Sequence, residues 1–179
     1  LAQHISNKFK IEFNDTQLLY VAFTHSSYAN DHREEDLEHL ERLEFLGDAV
    51  IELIVSDYLY KTYPDLPEGQ LPKMRAAAVR AETLSQLAVE SNFPQYVLLG
   101  RGEEQSNGRE RISLLCDVFE AFIGAVYLDQ GTESARNVLK RLLFPKINAG
   151  DFSHGMDYKT ALQEWMQRDG VVQIEYQVI

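Results

Sequence analysis

The sequence holds a single cysteine, Cys116, in 179 residues, which excludes an internal disulfide framework and fits a reducing cytoplasm. No apolar run reaches the roughly 18 residues that would span a bilayer, and the first residues lack the pattern of a secretion signal. No membrane partner is expected. Basic residues are scarce: 17 Lys and Arg stand against 28 Asp and Glu, a formal net charge of −11. Such a chain does not hold nucleic acid by bulk charge. Bound divalent cations reverse the local field, so a metal-dependent nuclease stays within reach. An initial Met is also lacking; the chain opens on Leu1, as a piece of a longer protein would.

What is present is apolar content of 45%, enough for one full core and too much for a disordered chain. Asn14 with Gln17 reads as a capping box opening a short helix that carries Leu18, Leu19, Ala22 and Phe23. From about Asp36 to Thr62, apolar residues at helical spacing predict a long helix, with Ala49, Ile51 and Val55 widening its stripe until little is left for water. Pro64, Pro67 and Gly69 form a turn, followed by helices over about 70–78 and 81–91. Residues 100–111, RGEEQSNGRER after the glycine, read as a loop too polar to be buried. A second buried helix is expected over 112–128 and a last one over 132–143. Pro145, Gly150 and DFSHGM mark a linker, after which DYKTALQEWMQRDG reads as a helix and VVQIEYQVI as a strand.

The acids carry the chemistry. Glu41, Glu44 and Asp48 sit at i, i+3 and i+7 on one face of the long helix, and Asp117 and Glu120 repeat the i, i+3 spacing on the second. Both sets lie inside the most apolar stretches, ERLEFLGDAV and LLCDVFEAF. Acids gathered in a partly dry cleft repel one another and lose hydration, at a cost of more than about one kcal/mol each. A hard divalent cation removes that cost, and oxygen ligands point to Mg²⁺ or Mn²⁺. From spacing alone, solvated or salt-bridged acids fit as well as a metal centre.

Several blocks in order resemble the bacterial ribonuclease III family: FTHSSY at 23–28, ERLEFLGDAV at 41–50, GEEQSNGRERISLLCD leading into DVFEAFIGAVYLDQG at 117–131, and DYKTALQEW. The resemblance implies an all-α endonuclease domain over 1–146, a linker over 147–156, and the beginning of an α+β double-stranded-RNA-binding domain over 157–179, cut short. It implies a cytoplasmic homodimer that hydrolyses double-stranded RNA with Mg²⁺, Mn²⁺ being able to substitute and no organic cofactor being needed. The expected products carry 5′-phosphates, 3′-hydroxyls and two-nucleotide 3′ overhangs, with ribosomal and messenger RNA processing as the expected role.

Carried over by position, Glu44, Asp48, Asp117 and Glu120 match the family's metal carboxylates, with Asp48 and Glu120 closest to the chemistry. Glu41 and Glu68 match further acids of the cleft. Phe45 matches an aromatic that enters a socket on the partner subunit, although a core aromatic beside Leu46 fits its sequence context too. Lys73, Arg75, Arg80, Arg109 and Arg111 are the candidates for phosphate contact, positioning a duplex rather than reading its bases. Three positions depart from the family pattern: Leu40 for Asn, Cys116 for Ala, and Asn107 for Gly. Cys116 reads as an inert small side chain, and Asn107 as a residue able to take the left-handed conformation. His25 reads as a packing or backbone-bonding histidine. A catalytically silent RNA-binding scaffold and a small-nucleotide phosphohydrolase are the competing functions.

Overall fold

The computed structural model describes residues 1–67 and 69–152. Its α-helices are α1 (Ala2–Phe9), α2 (Thr16–Ala22), α3 (Ser26–Asp31), α4 (Glu41–Thr62), α5 (Gln70–Val79), α6 (Ala81–Glu90), α7 (Arg101–Gln105), α8 (Ile112–Gln130), α9 (Thr132–Leu142) and α10 (Phe144–Asn148). The only β pairing among the described residues is an isolated parallel bridge between Thr24 and Leu98. The all-α expectation therefore holds for these residues. The expected α+β segment at 157–179 and Glu68 both lie outside them.

Local chemistry sets the boundaries. Asp15, not Asn14, caps α2, its carboxylate accepting from the Gln17 N–H at 2.9 Å. Asn14 and Asp15 instead donate their own N–H groups to the Asp129 carboxylate at 2.9 and 2.8 Å, which pins the start of α2 to the end of α8. The long helix begins at Glu41, five residues later than the sequence predicts, because a 3-10 turn over Arg33–Glu35 ends on Asp36 in the left-handed conformation (φ 48°). Leu40 then donates its N–H to the Thr24 carbonyl at 2.9 Å and turns the chain into α4.

The polar stretch 101–111 is also more ordered than expected. It folds into α7 and a 3-10 turn over Gly108–Glu110, with Asn107 supplying the anticipated left-handed residue (φ 55°). Arg109 holds it down, donating to the carbonyls of Pro94 and Val97 and pairing with Glu104. At the far end α10 carries folded structure past residue 146. Ile147 is buried and Phe152 rests against the core, so the first part of the expected linker is folded.

α8 is the centre of the molecule. Twelve of its 19 residues are buried, from Leu114 to Val126, and α4, α6, α2 and α9 surround it. Phe9, Phe23, Phe93, Phe119 and Phe122 form one aromatic cluster beside it, with edge-to-face pairs such as Phe23–Phe93 and Phe93–Phe122 at 4.9 Å between centroids. This cluster explains α1, a helix that periodicity alone does not separate out: Ile5 and Phe9 are its two buried residues.

One expectation is corrected. The long helix is not enclosed: Leu43, Gly47, Val50, Ile51, Ile54, Val55 and Leu59 are buried, whereas Phe45, Leu53 and Tyr60 are 81%, 66% and 74% exposed. Periodicity shows which positions are apolar. It does not distinguish a stripe covered by the same chain from one left open to another.

Candidate metal centre

Two glycines build the site. Gly47 of α4 and Gly124 of α8 face each other so closely that an added Cβ has no room. On Gly47 it would lie 2.6 Å from the carbonyl carbon of Glu120 and overlap its oxygen; on Gly124 it would overlap the Leu43 carbonyl oxygen. Real Cβ contacts are never this short, so the two backbones touch where any other residue would hold them apart. The acids sit on either side of this crossing: Glu44 and Asp48 flank Gly47, and Asp117 and Glu120 lie in the two turns before Gly124. Sequence spacing places each set on one helical face; the glycine contact brings the faces together.

The result is graded. Glu120 is only 8% exposed, Glu44 and Asp117 are half-buried, and Asp48 and Glu41 lie open to solvent. Burial, followed by the charges of Asp48, Glu44 and Asp117, raises the Glu120 carboxyl to about 8. Burial and then Glu44 and Glu41 raise Asp117 to about 6. Glu44 is raised as well, by burial and then by Glu41 and Asp48. These mutual effects put Glu44, Asp48, Asp117 and Glu120 in one electrostatic neighbourhood, with Glu41 at its edge.

Among the described residues, the group of donor atoms that all lie within 4.8 Å of one another comes from Cys116, Asp117 and Glu120, and it does not include Glu44 or Asp48. Among the charged groups that act on Glu120, none is a cation. Hard oxygen donors that repel one another and, among the described residues, have no ion-pair partner are the donor set that suits a hard divalent ion. The acids fit such an ion; Cys116, expected to be an inert filler, stands among them.

The basic candidates divide. Lys73 and Arg80 are exposed, Arg80 lying 4.0 Å from Glu82. Arg75 donates to Ser56 Oγ at 2.9 Å and ties α5 to α4. Arg111 pairs with Glu103 at 2.8 Å, and the guanidinium of Arg109 is committed to Glu104 and to the carbonyls of Pro94 and Val97. His25 caps α3, its Nδ1 accepting from the Ser27 N–H, and burial lowers its pKa. That is the backbone role expected of it. Phe45, at 81% exposure, is no core aromatic.

Residues 15–147 match the family model described as Ribonuclease-III-like. The chain is 58% identical to Ribonuclease 3 of Enterococcus faecalis over 179 residues, covering all of this chain and 78% of that one. It is 52% identical to Ribonuclease 3 of Lactiplantibacillus plantarum, with the same coverage. Among solved structures it resembles the nuclease domain of ribonuclease III from Campylobacter jejuni, with a TM-score of 0.74 and 36% identity over 80% of this chain and 96% of that one. A paired-acid crossing inside an all-α body, matched along the whole length by such relatives, places this chain in the ribonuclease III family.

Proposed function

We propose that this chain is an endoribonuclease of double-stranded RNA that works as a homodimer in the cytoplasm and depends on Mg²⁺, with Mn²⁺ able to substitute. One observation carries the proposal: four carboxylates gather at the α4–α8 crossing, one of them almost fully buried, and burial together with neighbouring negative charge raises Glu44, Asp117 and Glu120. Glu44, Asp48, Asp117 and Glu120 would hold the ion, with Glu41 and Glu68 as outer acids of the cleft. Family membership supports dependence on a divalent metal, and the oxygen donors favour Mg²⁺ over softer ions. When bound, such ions neutralise charge on the phosphate and lower the pKa of an attacking water.

The chain's own contribution is placement. The backbone contact fixes the spacing of the two acid pairs before substrate arrives, so little reorganisation is left for the reaction itself. The exposed acids, Asp48 and Glu41, mark the open side from which a wide duplex can approach. Lys73 and Arg80 are the exposed cations suited to its phosphates, and Arg111 is within one ion-pair exchange of that role.

The exposed apolar edge of α4 supplies the dimer surface. Phe45, Leu53 and Tyr60 lie along it, beside a cavity of about 420 Å³ lined by Leu53, Leu59, Tyr60, Leu71 and Pro72. In the Campylobacter jejuni nuclease domain, a region involved in dimer formation shows structural flexibility. A second copy of this chain is the natural cover for the α4 edge, and two centres acting across one duplex would give 3′ overhangs of two nucleotides with 5′-phosphate and 3′-hydroxyl ends. Precursors of ribosomal and messenger RNA are the proposed substrates. The segment at 157–179 is proposed to begin a double-stranded-RNA-binding domain, with the nuclease domain before it.

An end-labelled RNA duplex incubated with the protein in Mg²⁺ or EDTA, beside Glu120→Gln, tests the proposal. Metal-dependent cuts on both strands, offset by two nucleotides and missing in the variant, are expected. A folded dimer that holds the duplex without cutting it would be a binding scaffold instead.

A further inference from the structure

We propose that a cavity between the end of α1 and α9 binds a small phosphate monoester of the sugar-phosphate class. The inference stands apart from the nuclease reading: Gln130, which lines the cavity, closes α8 about 15 Å along the helix from Glu120.

The make-up of the cavity is the first support. It encloses about 260 Å³, with Lys10, Ser134, Asn137 and Arg141 on its polar wall and Phe9, Ile11 and Val138 on its apolar one. Phe9 and Val138 are buried, whereas Lys10, Asn137 and Arg141 are exposed, so an apolar floor lies under a cationic rim. No acid lines it, in a chain where Asp and Glu outnumber Lys and Arg by 28 to 17. The acids that flank Gln130 and Ser134 in the chain are turned to other partners. Asp129 accepts from the Asn14 and Asp15 N–H groups and from the Gln130 amide, and Glu133 pairs with Arg136 at 3.2 Å.

The state of the donors is the second. The Lys10 ammonium, the Ser134 hydroxyl and the Asn137 amide make no hydrogen bond or ion pair with any described residue. Arg141 is held in place: its Nη1 donates to the Lys8 carbonyl at the end of α1, which leaves the rest of the guanidinium fork for a ligand. Lys10 closes α1 in the left-handed conformation (φ 61°), a position that usually falls to Gly or Asn. Either of those would serve the turn alone; lysine adds an ammonium at the cavity rim.

Ligand chemistry follows from these groups. Ammonium and guanidinium ask for a compact anion, and the hydroxyl and amide beside them can serve more oxygens than a carboxylate offers. A phosphate monoester has oxygens for all of these donors and carries more negative charge than a carboxylate at neutral pH. The hollow is larger than phosphate alone, and its apolar floor suits the carbon skeleton of a sugar. A duplex, wide and continuous, does not enter a hollow of this volume.

The test titrates the whole chain with ribose 5-phosphate in a calorimeter, in EDTA so that no metal-bound anion contributes, and at low salt so that the charges are not screened. Saturation near one ligand per chain, competition by inorganic phosphate and silence with ribose are expected. Asn137→Asp sets a charge of the wrong sign in the wall, and Lys10→Asn removes the ammonium while keeping a residue at ease in the left-handed conformation. Each should weaken binding about 10–100-fold, the worth of one charge-assisted hydrogen bond. Both positions are exposed, so circular dichroism and melting temperature should stay those of the parent. Lys140→Gln removes an exposed α9 cation outside the lining and should bind as the parent does. No saturable binding at millimolar ligand overturns the proposal, as does parental affinity in Asn137→Asp. A loss in Lys140→Gln as large as in Lys10→Asn also overturns it, since net charge and not the cavity would then set the binding. Each of these results leaves the nuclease assignment standing.

Discussion

Glu120→Gln should make the metal-free protein more stable while making it inactive. The carboxyl of Glu120 stands near 8 in the folded chain, against an ordinary value of 4.5, because burial and three neighbouring acids oppose its charge. The folded state therefore keeps a proton that the unfolded chain releases near pH 4.5. Below that pH both states are protonated and nothing is lost. As pH rises from 4.5 to 8 the unfolded state binds fewer protons, so stability falls, and the loss is complete above pH 8. A shift from 4.5 to 8 corresponds to about 5 kcal/mol. The repulsion is shared with Asp48, Glu44 and Asp117, which relax when one charge is removed, so about 2–4 kcal/mol is the expected gain for the variant. For a chain of this size that is roughly 5–15 °C in melting temperature.

The assay is thermal melting in EDTA at pH 5 and at pH 8.5, with and without saturating Mg²⁺. At pH 5 the parent and Glu120→Gln should melt close together, since a protonated Glu and a Gln are both neutral. At pH 8.5 without metal the variant should melt higher. With Mg²⁺ the parent should regain its deficit and the variant should gain little, because a ligand bound only by the folded state stabilises it. A variant that melts at or below the parent at pH 8.5 in EDTA would refute the argument, since Glu120 could not then be a carboxylate held against its own charge.

The other predictions concern packing and assembly. Gly47→Ala should destabilise by about 3 kcal/mol or more through overpacking against the Glu120 backbone, and melting scans should show weaker stabilisation by Mg²⁺ as the helices part. Phe45→Ala should leave monomer stability within about 0.5 kcal/mol, as for other exposed positions, yet shift the dimer toward monomer in sedimentation equilibrium; an unchanged dimer would remove Phe45 from the interface. Asp129→Ala should cost about 1–3 kcal/mol in chemical denaturation by leaving the Asn14 and Asp15 N–H groups without their acceptor. An unaltered denaturation midpoint would show that water replaces it.

How much is legible in the sequence depends on the kind of information required. Helical faces are a matter of spacing, so the two acid sets and the helices bearing them can be read directly. Their convergence is not legible from spacing, because Gly47 and Gly124 look like ordinary small residues until the helices are seen to touch there. The start of α2 falls one residue and that of α4 five residues from the expected place because they depend on distant partners: Asp129 for one, the Thr24 carbonyl for the other. The polar run 101–111 looks like solvent-exposed loop because composition conceals the carbonyls that Arg109 satisfies. Cys116 reads as a small buried side chain, and at 7% exposure within the core it is one. Glu68 enters only through family resemblance, and no local pattern around it singles it out.

The contact of Gly47 with Gly124 also has a mechanical consequence. Where side chains separate two helices, the gap can be retuned by a rotamer or a methyl group; here peptide touches peptide, and the gap behaves as a fixed gauge. A cation whose oxygen distances are about 2.3–2.6 Å, such as Ca²⁺, asks for a wider jaw than one at 2.0–2.1 Å, such as Mg²⁺. A flexible cleft would yield to either. This one resists opening with the stiffness of two helices already in contact, so any discrimination by cation size at the proposed centre would be carried by main chain that most substitutions around the acids leave untouched.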